Sequence, residues 1–125
     1  MQPLEAARAH LAKAREFLVA ADVELSGELY SAATSNAVLA GINAKDAICL
    51  RITGRTGKTD NHSAAVSELA KAGNAGKNLE TTFRRLLGVK TASQYQAGPV
   101  SPADARRAVD WATRMVDTAD DVVRT

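Results

Sequence analysis

The stretch from residue 28 to residue 53 constrains the fold most, because its pattern is helical and it is apolar on two opposite faces. A peripheral helix of a small bundle needs only one apolar stripe. This helix must therefore be central in the fold or bury its second face against another molecule. The first face has small and apolar residues three or four positions apart, the spacing of a helical stripe: Tyr30, Ala33, Ala37, Gly41, Ala44 and Ile48.

The second face of this helix is a candidate dimer interface, formed by Leu39, Ile42, Cys49 and Leu50. The polar residues Asn43 and Asp46 lie among these apolar ones. Polar groups buried at an interface need hydrogen-bonding partners. We expect those partners in the loop that follows the helix or in the same helix of a second subunit. A solvent-facing polar patch is the alternative interpretation.

The rest of the chain predicts an all-α fold, an up-and-down bundle of four to five helices in a single domain spanning residues 1–125. A first helix over residues 3–25 has a heptad seam, and the tight turn at Ser26 and Gly27 makes it antiparallel to the second. A short third helix begins near residue 62, and a fourth covers residues 79–89. The last begins at Pro102 with Ser101 as its N-cap.

The composition limits the cellular location and the binding partners that we expect. The chain has one cysteine, so no internal disulfide can form, which favours a reducing, cytoplasmic location. It has neither a secretory signal pattern nor a run of 18 apolar residues, so we expect no membrane association. Residues 45–90 carry nine Lys and Arg against four Asp and Glu. The excess of positive charge in residues 45–90 favours binding of phosphate or RNA. The alternative is that these charges form a solvent-exposed face without a ligand.

The loop after the two-faced helix holds the best candidate chemistry, with Arg55 near its start and His62 just after it. A histidine can transfer a proton from the 2′-hydroxyl of RNA or to the leaving group near neutral pH. An arginine can hold the phosphate and balance charge that develops in the transition state. This pair is therefore a candidate for metal-independent RNA cleavage. The alternative is a histidine in a helix-capping region and a solvated arginine.

The other histidine, His10, has no acidic or cysteine residues at metal-ligand spacing, and we predict a structural role for it. The sequence has no paired Cys/His signature. We therefore predict neither a metal nor another cofactor.

Taken in order, these features resemble the HEPN domain in its small, single-domain bacterial form. The resemblance covers nearly the whole chain and rests on residues 14–21, 25–33 and 35–48, on the glycine-containing loop that ends at His62, and on residues 86–95 before a capped last helix. It implies a helical bundle that frequently forms homodimers with the active cleft between protomers. In active members, an arginine and a histidine separated by four to six residues cut RNA without metal, often as a toxin. Arg55 and His62 match this spacing.

The resemblance gives the expected function two forms. In the first, a homodimer binds and cleaves RNA with Arg55 and His62, and Asp46 orients the loop. Arg51, Lys58 and Asn43 then supply secondary contacts to the RNA, and a cognate antitoxin is an expected partner. In the second, the chain is a non-catalytic module that binds a nucleotide, an RNA or a protein such as a nucleotidyltransferase.

Overall fold

The computed structural model describes residues 1–57, 60–95 and 97–124, apart from the side chains of residues 93–95. These residues form six helices and no strand, which confirms the predicted all-α bundle. The helices are α1 (Pro3–Ser26), α2 (Tyr30–Thr53), α3 (His62–Ala70), α4 (Gly73–Asn78), α5 (Glu80–Tyr95) and α6 (Pro102–Arg124). The helix beyond the four to five that the sequence predicts is α4, a short helix formed by a glycine-containing run.

The two-faced helix α2 is the central element of the bundle. It packs against every other helix, and its most extensive contacts are with α1 and α6. Cys49 is completely buried within the chain, so the expectation that it lies on a dimer-facing surface is wrong. Ile42 and Leu50 are partly buried against the core, while Leu39 is 40% exposed. The chain's own helices therefore cover most of the second face.

Gly41 shows why the first face of α2 is built from small residues. A Cβ atom at this position would collide with Leu86 of α5 and lie 3.4 Å from Met115 Sδ in α6. The missing side chain thus lets α2 approach both helices closely, which offsets the cost of about 1 kcal/mol of a mid-helix glycine. The close packing at Gly41 is therefore with α5 and α6.

The ends of the helices agree with the sequence signals at two positions and depart from them at one. Asn61 caps α3 by accepting a hydrogen bond from the Ala64 N–H (3.1 Å), and Ser101 caps α6 by accepting one from the Asp104 N–H (3.1 Å). Helix α5, by contrast, continues past the predicted end near residue 89 as far as Tyr95. This extension brings Thr91 into the wall of the site described next.

Candidate functional site

The loop between α2 and α3 leaves α2 through a left-handed residue and then turns back against the bundle. Gly54 has φ 78°, a conformation that glycine adopts without steric cost, and its N–H donates to the Leu50 carbonyl (3.1 Å). Two residues later, the Thr56 hydroxyl donates to Asp46 Oδ1 (2.5 Å). The Gly57 N–H donates to the two carboxylate oxygens of Glu68 in α3, at 2.8 and 3.0 Å. The loop is thus anchored to both α2 and α3.

A buried lysine completes this anchor. Lys45 is only 2% exposed, and its Nζ donates to Thr56 Oγ1 (2.9 Å) and Asp46 Oδ1 (3.3 Å) and forms an ion pair with Glu68. We call Lys45, Asp46, Thr56 and Glu68 the loop anchor. A buried ammonium needs such partners because removing it from water is costly. The anchor therefore holds the loop chiefly through Lys45 and Asp46, buried charged groups that cannot easily return to solvent.

The pKa values of Glu68, in the loop anchor, and of Cys49, close to it, are both shifted by their surroundings. Burial alone would raise the pKa of Glu68, but hydrogen bonds from Lys45 and from the Gly57 N–H outweigh it and lower the pKa below its ordinary value. Burial raises the pKa of the nearby Cys49 thiol to about 11. The carboxylate of Glu68 is thus held in its charged form, and the thiol of Cys49 in its neutral one.

Beside the anchor lies a cleft of about 740 Å³, which we call the histidine cleft because both histidines of the chain line it. Four helices and the loop supply its walls. Its lining residues are His10 and Lys13 from α1; Ile42, Asn43, Lys45 and Asp46 from α2; Gly57 and Asp60 from the loop; His62 and Ala65 from α3; and Phe83, Leu87, Lys90 and Thr91 from α5.

His62, the first residue of α3, lies at a junction between two hollows. It lines the histidine cleft and also a neighbouring groove of about 470 Å³, whose basic residues are Lys71, Lys77 and Arg84. Its Nδ1 is 3.5 Å from Thr91 Oγ1, a long contact that places the ring against α5. The imidazole thus lines two adjacent cavities on a basic part of the chain.

His10 approaches the same cleft from α1. Its Nδ1 is 2.8 Å from Asn43 Oδ1 and 3.8 Å from Asp46 Oδ2, and its side chain is 17% exposed. Among the described residues, no group of three or more His, Cys, Asp or Glu is arranged to hold a metal ion. We predicted a structural role for His10, and the structure places it in the wall of the histidine cleft beside Asn43.

The structure brings some of the predicted site residues together and leaves others apart. Asn43, Asp46 and His62 line the histidine cleft. Arg55 and Arg51 are exposed and are not among its lining residues, although Arg55 directly precedes the anchored Thr56. Lys58 lies outside the described residues.

Sequence reasoning missed Lys45, Glu68 and the position of His10. Lys45 lies between Ala44 and Asp46 in a continuously buried run of α2, residues 43–49, and a lysine inside such a run is a signal of a paired buried charge. Glu68 and His10 gave no local signal, because their partners are 23 and 33 residues away in the chain.

Comparison with known proteins adds one finding. Residues 7–122 match the family model of the HEPN domain. The chain belongs to the HEPN family. This family includes ribonuclease and nucleotide-binding members, so membership alone leaves both expected functions open for this HEPN protein. No curated protein and no solved structure matches the chain significantly. Within the part of the chain that the structure describes, no helix is long and apolar enough to cross a membrane.

Proposed function

We propose that this HEPN protein binds single-stranded RNA across the histidine cleft and the adjoining groove. We propose that it cleaves the RNA there with His62 as a catalytic residue. The position of His62 at the junction of the two hollows carries the proposal. An RNA strand needs an extended path with positive charge along it. The cleft contributes Lys13 and Lys90 to that path, and the groove contributes Lys71.

The proposed reaction is an internal transfer at phosphorus. The 2′-hydroxyl oxygen attacks the adjacent phosphate, so that the bond from O2′ to phosphorus forms and the bond from phosphorus to O5′ breaks. His62 accepts the proton of the 2′-hydroxyl as general base. The departing O5′ takes up one proton, which balances the proton accepted by His62, so the products are a 2′,3′-cyclic phosphate and a 5′-hydroxyl, and the step needs no metal or other co-reactant.

Arg55 is assigned the phosphate contact in this proposal. Its neighbour Thr56 is fixed to Asp46, so the exposed guanidinium extends from an anchored backbone. A guanidinium can grip two phosphate oxygens and neutralise the charge that develops on them. Asp46 is therefore a positioning residue for the loop. Arg51 and Lys58 are proposed as secondary phosphate contacts.

We further propose that the protein acts as a homodimer through Leu39, Ile42 and Leu50. The partly exposed Leu39 supports this choice, as does Ile42, which belongs both to this face and to the wall of the histidine cleft. A second subunit placed there would bring two clefts close together. Light scattering of the wild type and of Leu39→Asp should show a dimer that the charge dissociates. A wild-type monomer would rule out this interface.

The test of RNA cleavage compares four purified proteins on labelled RNA in the presence of EDTA: wild type, Arg55→Ala, His62→Ala and the exposed control Arg106→Ala. We expect His62→Ala to lower the cleavage rate by about 100-fold or more while it still binds RNA, because one general base contributes about that much. Arg55→Ala should weaken both binding and cleavage. The control should match the wild type, and full activity of His62→Ala would refute the proposed role.

A toxin role follows if cleavage occurs. Expression of the wild type would then arrest growth of a host cell and His62→Ala would not, and a cognate antitoxin would relieve the arrest.

A second candidate function is nucleotide binding without cleavage. The volume of the histidine cleft lies within the range of small-ligand pockets, about 300–1,000 Å³. Arg55 is also not among the residues that line the cleft. A module that binds a ligand without cleaving RNA does not need an arginine there. A nucleotidyltransferase is the expected protein partner in that case. Titration calorimetry with ATP and AMP would favour this function if the wild type binds a nucleotide tightly and leaves every RNA intact.

A further inference from the structure

A second imidazole faces the same cleft as His62, and the proposed reaction needs a second proton transfer. His10 comes from α1, and His62 comes from the start of α3. When O5′ leaves phosphorus it carries negative charge, and a general acid that protonates it speeds the reaction. A single histidine cannot serve as base and acid at the same moment.

The tautomer of His10 is fixed by a chain of hydrogen bonds. The side-chain amide of Asn43 donates from Nδ2 to the Leu39 carbonyl (2.9 Å), and this orients its Oδ1 toward His10 Nδ1 (2.8 Å). An amide oxygen only accepts, so Nδ1 of His10 carries a proton. The remaining nitrogen, Nε2, is therefore the one that binds and releases a proton during a reaction.

The carboxylate of Asp46 lies beside His10, with Oδ2 3.8 Å from Nδ1. Its other oxygen accepts from Lys45 and Thr56, which holds the carboxylate in place next to the ring. His62 is the first residue of α3, and its Nδ1 is 3.5 Å from Thr91 Oγ1. An imidazole oriented by an amide and a carboxylate is suited to deliver a proton to a leaving group, so we assign the acid role to His10 and the base role to His62.

We propose that His10 is the general acid of the cleavage reaction, a catalytic residue that protonates O5′ through Nε2. This inference rests on the proposed ribonuclease function. In the same step, His62 takes the proton from the 2′-hydroxyl, and His10 gives its Nε2 proton to O5′ as the bond from phosphorus to O5′ breaks. The two histidines then exchange protons with water before the next turnover. Asn43 is a positioning residue that holds Nδ1 of His10.

The experiment changes only the leaving atom. Two RNA substrates share one sequence that the wild type cleaves, and in the second the 5′ oxygen at the scissile linkage is replaced by sulfur. A thiolate leaves without being protonated, so loss of a general acid has little effect on that substrate. We expect His10→Ala to slow cleavage of the oxygen substrate by about 100-fold or more and of the sulfur substrate by less than about threefold. His62→Ala should slow both.

A second variant guards against a folding defect. His10→Gln keeps an amide that can donate to Asn43 but cannot transfer a proton, so it should reproduce the selective loss while its circular dichroism matches that of the wild type. Equal slowing of both substrates, or no slowing, in a folded His10 variant overturns the acid role and leaves the ribonuclease function intact. If the wild type cleaves no RNA, the proposed function fails, and the acid role fails with it.

Discussion

Replacing Lys45 by methionine tests the loop anchor most directly. The change keeps most of the apolar part of the side chain and removes the charge that lies between Asp46 and Glu68. Removal of one partner from a buried ion pair costs about 3–5 kcal/mol, because it leaves a charge without compensation. Glu68 is 36% exposed and regains water, which reduces the penalty. We therefore expect Lys45→Met to lower the free energy of unfolding by about 2–3 kcal/mol.

Urea denaturation measures this change, and in a 125-residue chain it corresponds to a fall in Tm of about 10 °C. Lys13→Met, at an exposed position, is the matched control and should change stability by less than about 0.5 kcal/mol. Adding Glu68→Gln to Lys45→Met should recover part of the loss, because the pair is coupled. Hydrogen exchange at the Gly57 amide should accelerate in Lys45→Met. A loss below about 1 kcal/mol with unchanged exchange at Gly57 would refute the anchor.

Two further predictions concern the buried thiol of Cys49 and two helical glycines. The pKa of Cys49 is raised from 9.0 to about 11, so its neutral thiol contributes stability that is complete below pH 9 and is lost as the pH rises toward 11. Urea denaturation at pH 8 and pH 10.5 should show the free energy of unfolding falling by about 2 kcal/mol at most, and by less in Cys49→Ala. A Cβ atom added at Gly76 would collide with the Leu69 carbonyl. A Cβ atom added at Gly88 would have no other atom within 4 Å. Gly76→Ala should therefore destabilise the protein by about 1–3 kcal/mol, and Gly88→Ala should stabilise it by about 0.5–1 kcal/mol in thermal unfolding.

Most of the fold could be predicted from the sequence because helical periodicity and capping are local signals. The N-caps Asn61 and Ser101 each act within three residues of the N–H groups that they accept from, and the structure has both bonds. The end of α5 could not be predicted in this way. Gly88 lies next to the predicted end at residue 89, yet the cost of a single glycine is too small to end a helix that continues as far as Tyr95.

The site was less predictable, because its interactions join residues that are far apart in the chain. The loop pattern indicated Arg55 and His62, and the polar residues on α2 indicated Asn43 and Asp46. The position of His10 depends on the packing of α1 against α2, which places it beside Asn43. No spacing rule within the sequence connects those two residues. Only the three-dimensional arrangement shows that both histidines line one cleft.

Asp46 links the two parts of the site through its two carboxylate oxygens. Oδ1 accepts from Thr56 and Lys45 and so belongs to the loop anchor, while Oδ2 faces His10. A movement of the loop would therefore alter the electrostatic field at His10, because the same carboxylate serves both. The central position of α2 makes this link possible, since one buried helix contacts both α1 and α3. The polar residues that interrupt the second face of α2 are thus explained within a single chain, and the proposed dimer rests on the apolar residues Leu39 and Ile42 of that face.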